Sequence, residues 1–233
     1  MVLYFCAYLY KLLLMSEMLN STIARKVAMA LSAIFLLIFL LQHFIINFTS
    51  VISESTFNEL SHFMGTNFLV QFLMQPILIF AVVFHFIMGF YLEVRNKSAR
   101  RIKYVSYKGN TNSSWFSRNM IYSGLVILAF LVLHFIDFWF PEINYKYIAV
   151  NPEDPTRYYH EMVEKFHNPI RVICYIIAFV LLAMHLLHGF QSAFQSIGFN
   201  NKFTPGLKAF GKYFAILIPL GFIFIALFHF FNQ

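Results

Sequence analysis

With 233 residues, of which 60% are hydrophobic and 12% charged, and a mean hydropathy of +0.67, the chain is too apolar for an ordinary soluble domain, where about a quarter of residues carry charge. The net charge of +7 is carried mainly by basic residues flanking apolar segments, a topology signal, and nucleic-acid binding is excluded. Two cysteines, Cys6 and Cys174, exclude a disulfide framework and a cysteine-rich metal site.

Residues 1–19 read as an N-terminal extension. The stretch to Met15 is apolar, too short to span a membrane and without a small-residue cleavage site. It is either a mis-assigned start, with Met15 or Met18 the true one, or an interfacial helix. Residues 20–233 then form one domain. Crossing the hydrocarbon core takes about 20 apolar residues, and such segments fall at about 24–48, 67–92, 119–140, 168–194 and 211–231. The expected fold is an all-α, five-helix antiparallel membrane bundle. Its N-terminus is expected on the cytoplasmic side, because 13 of 17 basic residues fall in the N-terminal region and the second and fourth connections.

The first connection contains Ser53-Glu54-Ser55, able to start a short surface helix. Pro76, inside the second span, removes the bond to the carbonyl of Phe72 and predicts a kink. The second connection joins a basic run, Lys97 to Arg101, to a turn-rich tract and is the strongest docking surface on the inner side. The third holds Asn151-Pro152-Glu153-Asp154-Pro155, a turn expected to fold over the outer mouth of the bundle. Thr204-Pro205-Gly206 separates the last two helices. No internal repeat is expected.

Four histidines occupy the first four spans, one each, at alternating ends. His43 lies roughly 26 Å beyond Lys26 and His134 roughly 24 Å beyond Arg118 at the helical rise per residue. His85 lies roughly 15 Å before Arg95, with His188 somewhat deeper. An antiparallel bundle thus brings His43 level with His134 and His85 level with His188. Two strong imidazole ligands suit a low-spin haem iron, so two stacked pairs point to two haems. A single membrane histidine is more often a helix–helix hydrogen-bonder, and His185, three residues before His188 on a similar face, could replace it. His62, His160, His167 and His229 read as solvated interface residues. Gly89 and Gly189 would let a porphyrin edge approach the backbone. Ser32 and Ser123, three turns before His43 and His134, would leave room for the inner haem, and Phe39, Phe130 and Phe138 could pack on the macrocycle. Asp137 is the candidate proton carrier for quinone chemistry, with an interfacial carboxylate facing water as the ordinary alternative; Glu54 and Glu59 are weaker candidates. Arg171 could neutralise a distal haem propionate, or meet a headgroup.

The stretch Leu187-His188-Gly189-Phe190-Gln191-Ser192 through Gly198, with His43 and Asn47, His85 and Gly89, and Asn96 to Arg100, resembles the cytochrome b558 family over about residues 20–231. Its members are the dihaem membrane-anchor subunits of succinate dehydrogenases and fumarate reductases. The resemblance implies that His85 and His188 ligate a proximal haem b, and His43 and His134 a distal one. It implies a flavoprotein with FAD and an iron–sulfur protein docked on the cytoplasmic face of a bacterial inner membrane, and menaquinone reacting near the distal haem. Some relatives carry a Glu two residues before the helix-four ligand; here that position is Leu186, which puts a proton route of that kind in doubt. Two other readings compete: the cytochrome b anchor of a hydrogenase or formate dehydrogenase, and a haem-free transporter relaying protons through its histidines.

Overall fold

The computed structural model describes residues 21–98 and 120–232. The expected N-terminal extension, and most of the basic second connection, lie outside these residues. No strand occurs among them. Five helices are long and apolar enough to cross a bilayer: α1 (Thr22–Ile52), α3 (Val70–Ser98), α4 (Met120–Ile148), α6 (Pro169–Ser196) and α7 (Thr204–Phe231). Two short helices, α2 (Glu54–Thr66) and α5 (Arg157–Phe166), cover one end of the bundle, hereafter the capped end. The protein is therefore an all-α, multi-pass membrane protein. At about 1.5 Å per residue even the 28-residue α6 reaches about 42 Å, longer than a hydrocarbon core of about 30 Å, so the spans project beyond it.

Local sequence explains three of the helix ends. Ser53 accepts a bond from the Thr56 amide at 3.3 Å and starts α2, as expected from its sequence. Asn168 Oδ1 accepts from the amides of Ile170 and Arg171 at 3.0 and 3.2 Å, and Pro169 occupies the first turn of α6. Gly198, at φ 82°, follows the end of α6, a backbone state that glycine adopts without a Cβ clash.

Two expected boundaries fail for one reason, the reading of proline as a breaker. Thr204-Pro205-Gly206 does not separate the last two helices; it forms the first turn of α7, where proline has no helical bond to lose. Pro141 does not end the third span, because α4 continues through it to Ile148. Ahead of Pro141 the helix widens into a π turn over Phe135–Trp139, and the Phe140 amide reaches back to the Phe135 carbonyl. Pro76 is preceded by the same device, a π turn over Val70–Met74 with the Gln75 amide bonded to Val70. A widened turn moves the carbonyl that the proline ring would otherwise strike.

Pair contacts fix the packing register. Arg25 donates to Tyr91 OH at 2.8 Å and Ser32 lies against His85, so α1 and α3 run antiparallel. Ser123 lies against His185 and Asp137 against Tyr175, so α4 and α6 do too. Helix α7 packs on α6 and α1 from outside the other four. Its Gly211 lies flat against the Phe190 ring and its Gly221 against Phe44, so that a Cβ at either would overlap an aromatic carbon. These two glycines set how closely the fifth helix approaches.

Candidate functional site

Helices α1, α3, α4 and α6 enclose a cavity of about 930 Å³, closed on one side by Phe222 and Ile225 of α7. It runs from Lys26, Glu93 and Ser196 at the N-terminal end to Gly65, Glu142 and Tyr158 at the capped end. Small-molecule sites range over about 300–1,000 Å³ and are mostly apolar, so this one is at the large end of that range.

Two pairs of imidazoles face each other across this space. His43 of α1 and His134 of α4 have ring centroids 5.7 Å apart, towards the capped end. His85 of α3 and His185 of α6 have centroids 6.5 Å apart, towards the N-terminal end. The inner pair is thus not the expected one. His185 lines the cavity opposite His85, while His188 is not among the lining residues. Three residues turn a helix by about 300°, leaving the two positions about 60° apart, too close for the hydrophobic pattern to separate.

The separations fit one metal ion per pair. An imidazole nitrogen sits about 2 Å from a first-row metal and about 1 Å from its own ring centre, so two rings gripping one ion have centroids about 6 Å apart. The two levels are well separated: Ser32, level with His85, is eleven residues from His43, or about 16 Å along α1.

The serines have a definite role that the sequence reading took only as absence of bulk. Ser32 donates its single hydroxyl proton to the Met29 carbonyl at 2.7 Å, so towards His85 Nδ1, 3.2 Å away, it can only accept. Nδ1 of His85 therefore carries the proton and Nε2 keeps its lone pair. Ser123 repeats the arrangement, donating to Met120 at 2.9 Å and facing His185 Nδ1 at 3.1 Å. A second partner of this kind is what orients a metal-binding histidine and fixes its tautomer. His229 shows the opposite case: Ser50 donates to Asn47 at 2.7 Å, so His229 Nε2, 2.9 Å from the same oxygen, carries the proton. His229 is 1% exposed and joins α7 to α1, which corrects its reading as a solvated residue.

These coincidences expose an internal repeat, contrary to expectation. Met29, Ser32, Phe39, His43, Phe44 and Ile45 of α1 recur as Met120, Ser123, Phe130, His134, Phe135 and Ile136 of α4, offset by 91 residues. His85, Gly89 and Phe90 of α3 recur as His185, Gly189 and Phe190 of α6, offset by 100. Each imidazole pair consists of two equivalent residues facing each other. The counterpart of His188 is Met88, so the repeat selects His185, and this was the signal that could have found it. Even the packing at the glycines recurs: a Cβ on Gly89 would meet the Met29 methyl at 3.4 Å, and one on Gly189 the Met120 methyl at 3.4 Å.

Three of the remaining expected residues pack on the capped-end pair. Phe39 stacks on His43 at 5.5 Å, Phe130 on His134 at 5.8 Å, and Phe138 tilts against His134 at 5.2 Å. Asp137 does not face water, being 2% exposed, and it is not among the residues lining the cavity. It accepts a hydrogen bond from Tyr175 OH at 2.8 Å and pairs with Arg171 Nε at 3.1 Å, joining α4 to α6. Arg171, the expected propionate partner, thus has its charge directed at a carboxylate. His160 and His167 are exposed, as read from the sequence. Glu54 meets His160 at 3.3 Å.

The capped mouth is closed by a polar knot that the sequence reading missed. Arg157 of α5 is paired with Glu142 of α4 and with Glu161, and it lies 4.0 and 4.4 Å over the rings of Tyr145 and Tyr158. Lys146 reaches both Glu142 and the Gly65 carbonyl. Burial opposes the guanidinium charge, but the two carboxylates outweigh it and hold Arg157 above its ordinary pKa. Burial, reinforced by Glu142, pushes the Tyr158 phenol up to about 12. No family model, curated protein or solved structure matches the chain.

Proposed function

We propose that this chain is the dihaem cytochrome b anchor of a succinate dehydrogenase or fumarate reductase, in which His43 and His134 hold one b-type haem and His85 and His185 the other. The observation that carries this reading is the meeting of four equivalent histidines as two pairs, 5.7 and 6.5 Å between centroids, inside one apolar cavity. His185 takes the place that the helix-four motif gave to His188. When bound, the haems supply a one-electron relay between a donor at one membrane face and a quinone in the bilayer.

The chain's own residues do the rest. Nε2 of His85 and His185 is left with a free lone pair by the serine contacts, and Ser32 and Ser123 fix ring orientation. The stacked Phe39 and Phe130 exclude water beside the other pair. The partners that fit this reading are a flavoprotein carrying FAD and an iron–sulfur protein, on the cytoplasmic face of a bacterial inner membrane, with menaquinone as the mobile carrier. Dicarboxylate chemistry belongs to those partners. The basic residues Lys26, Arg95 and Lys97 near the N-terminal end of the bundle favour docking there.

The test is a reduced-minus-oxidised spectrum and a haem-to-protein ratio on the full chain purified from haem-replete cells. Two haems per chain are expected. A colourless protein, as the proton-relay transporter reading predicts, overturns the proposal.

A further inference from the structure

The two halves of the bundle share their histidines, serines and glycines but not their charges. Asp137, Arg171 and Tyr175 occupy positions whose repeat counterparts are Ile46, Gln71 and Gln75. A helix pair of this design therefore forms without the buried ion pair. Burying a carboxylate is costly even when it is paired, so the pair is weak evidence of a stabilising role. It lies on the widened turn Phe135–Trp139 that immediately follows His134. Tyr175 links the two features: its hydroxyl donates to Asp137 at 2.8 Å and its ring lies 6.3 Å from that of His134.

We infer that the Asp137–Arg171–Tyr175 network is a charge-balanced positioning element beside the capped-end haem, so that loss of one of its charges, and not of both, displaces the reduction potential of that haem and not of the other. This rests on the proposed dihaem function. Asp137 and Arg171 would act through the field at the His43–His134 pair and touch neither quinone nor iron. Reduction adds one negative charge, so a nearby anion disfavours it and a nearby cation favours it. Intact, the pair nearly cancels. Removing either partner exposes the other charge in a medium of low dielectric. The Asp137 side chain is 1% exposed and that of Arg171 30%, so the uncovered carboxylate is screened less by solvent than the uncovered guanidinium.

Two shifts of opposite sign follow. Arg171→Gln lowers the potential of the capped-end haem by about tenfold in the reduction equilibrium, which for one electron is about 59 mV. Asp137→Asn raises it, by less. The double variant, which carries no charge at either position, returns towards the wild-type value, and Tyr175→Phe gives a smaller fall than Arg171→Gln. The haem at His85 and His185, about 16 Å further along the bundle, moves little in all four and serves as the internal control.

The experiment is a potentiometric titration of the full-length chain, followed optically, on wild type and these variants, with haem content measured on each. The wild-type haem content tests the dihaem reading, and a colourless wild type sinks that reading and this inference together. With two haems present, potentials indifferent to the charge at positions 137 and 171, or equal shifts of both haems, overturn this inference alone. Loss of the capped-end haem in Arg171→Gln with an unshifted potential in Asp137→Asn also overturns it, and marks Arg171 as a propionate partner. Should a single variant fail to accumulate, the charge-free double variant, built like the uncharged first repeat, still reads the cancellation: a potential displaced by as much as tenfold contradicts it.

Discussion

The two imidazole pairs are built from the same repeated residues yet are held in opposite ways. At the N-terminal end both Nδ1 atoms face serine oxygens, at 3.2 and 3.1 Å. At the capped end Asn47 Nδ2 lies 3.4 Å from either nitrogen of His43 and bonds more closely to the His43 carbonyl at 2.8 Å, while His134 Nδ1 is buried with no hydrogen-bond partner among the described residues. Aromatic rings take over the positioning there. A repeat can therefore preserve facing histidines while the groups behind them diverge, and on the dihaem reading it is those groups that would tune what the histidines hold.

The largest expected effect separates the pairs outright. On the dihaem reading, His85→Ala or His185→Ala should remove the N-terminal-end haem, and His43→Ala or His134→Ala the other, each halving the haem per chain. His188→Ala keeps both. Haem quantification on the five variants checks this, and loss of a haem in His188→Ala with retention in His185→Ala would reverse the assignment of α6.

Next comes the difference in the supporting groups. Loss of an outer partner costs a metal site about 10–100-fold in affinity. Ser32→Ala and Ser123→Ala should each weaken retention of the haem at His85 and His185 by that order, leaving the capped-end haem bound. Asn47→Ala, which removes only long contacts to His43, should change haem retention much less. A chelator-like competition with apomyoglobin, followed by absorbance, measures all three. Equal haem loss at both ends in Ser32→Ala would show that the serines serve general packing.

The positions of the facing histidines were largely legible because a membrane span is long, apolar and sparing of polar residues, so four histidines stand out and helix rise sets their depth. Three of the four facing imidazoles follow from that alone. The fourth, His185, was obscured because depth and face barely separate positions three residues apart. Only the recurrence of His-x-x-x-Gly-Phe at 85–90 and 185–190 separates them, and repeats of helix pairs are easily hidden among interchangeable Phe, Leu and Ile. Boundaries at Pro141 and Pro205 were misread because a proline's effect depends on where in the helix it falls. The knot around Arg157 was not legible at all. It joins residues from α4 and α5 whose charges, taken singly, look like ordinary solvated loop residues.

That knot gives the third effect, confined to the capped end. The Arg157 side chain is 8% exposed and neutralises Glu142, itself 22% exposed. Arg157→Gln leaves these carboxylates partly buried without their cation and should cost about 2–3 kcal/mol, less than for a fully buried pair because Glu161 is well hydrated. The loss should appear as faster proteolysis within residues 149–156 and easier release of the capped-end haem, with the other haem unaffected. Uniform destabilisation of both haems would contradict a local closure.

The smallest effect is at the terminus of α4 beside the same knot. Val150 adopts φ 48°, and the chain turns there with the Asn151 amide bonded to the Tyr145 carbonyl at 3.0 Å. A β-branched residue is poorly suited to this left-handed state, which costs an L-residue about 1–2 kcal/mol. Glycine adopts it freely but loses about 0.5–1 kcal/mol more chain entropy on folding. Val150→Gly should therefore stabilise the capped end by a net of about 0.5–1 kcal/mol. Thermal denaturation in detergent, monitored through the capped-end haem, should show a small rise in midpoint. A fall would mean that the exposed Val150 side chain contributes more through lipid or partner contact than its backbone strain costs.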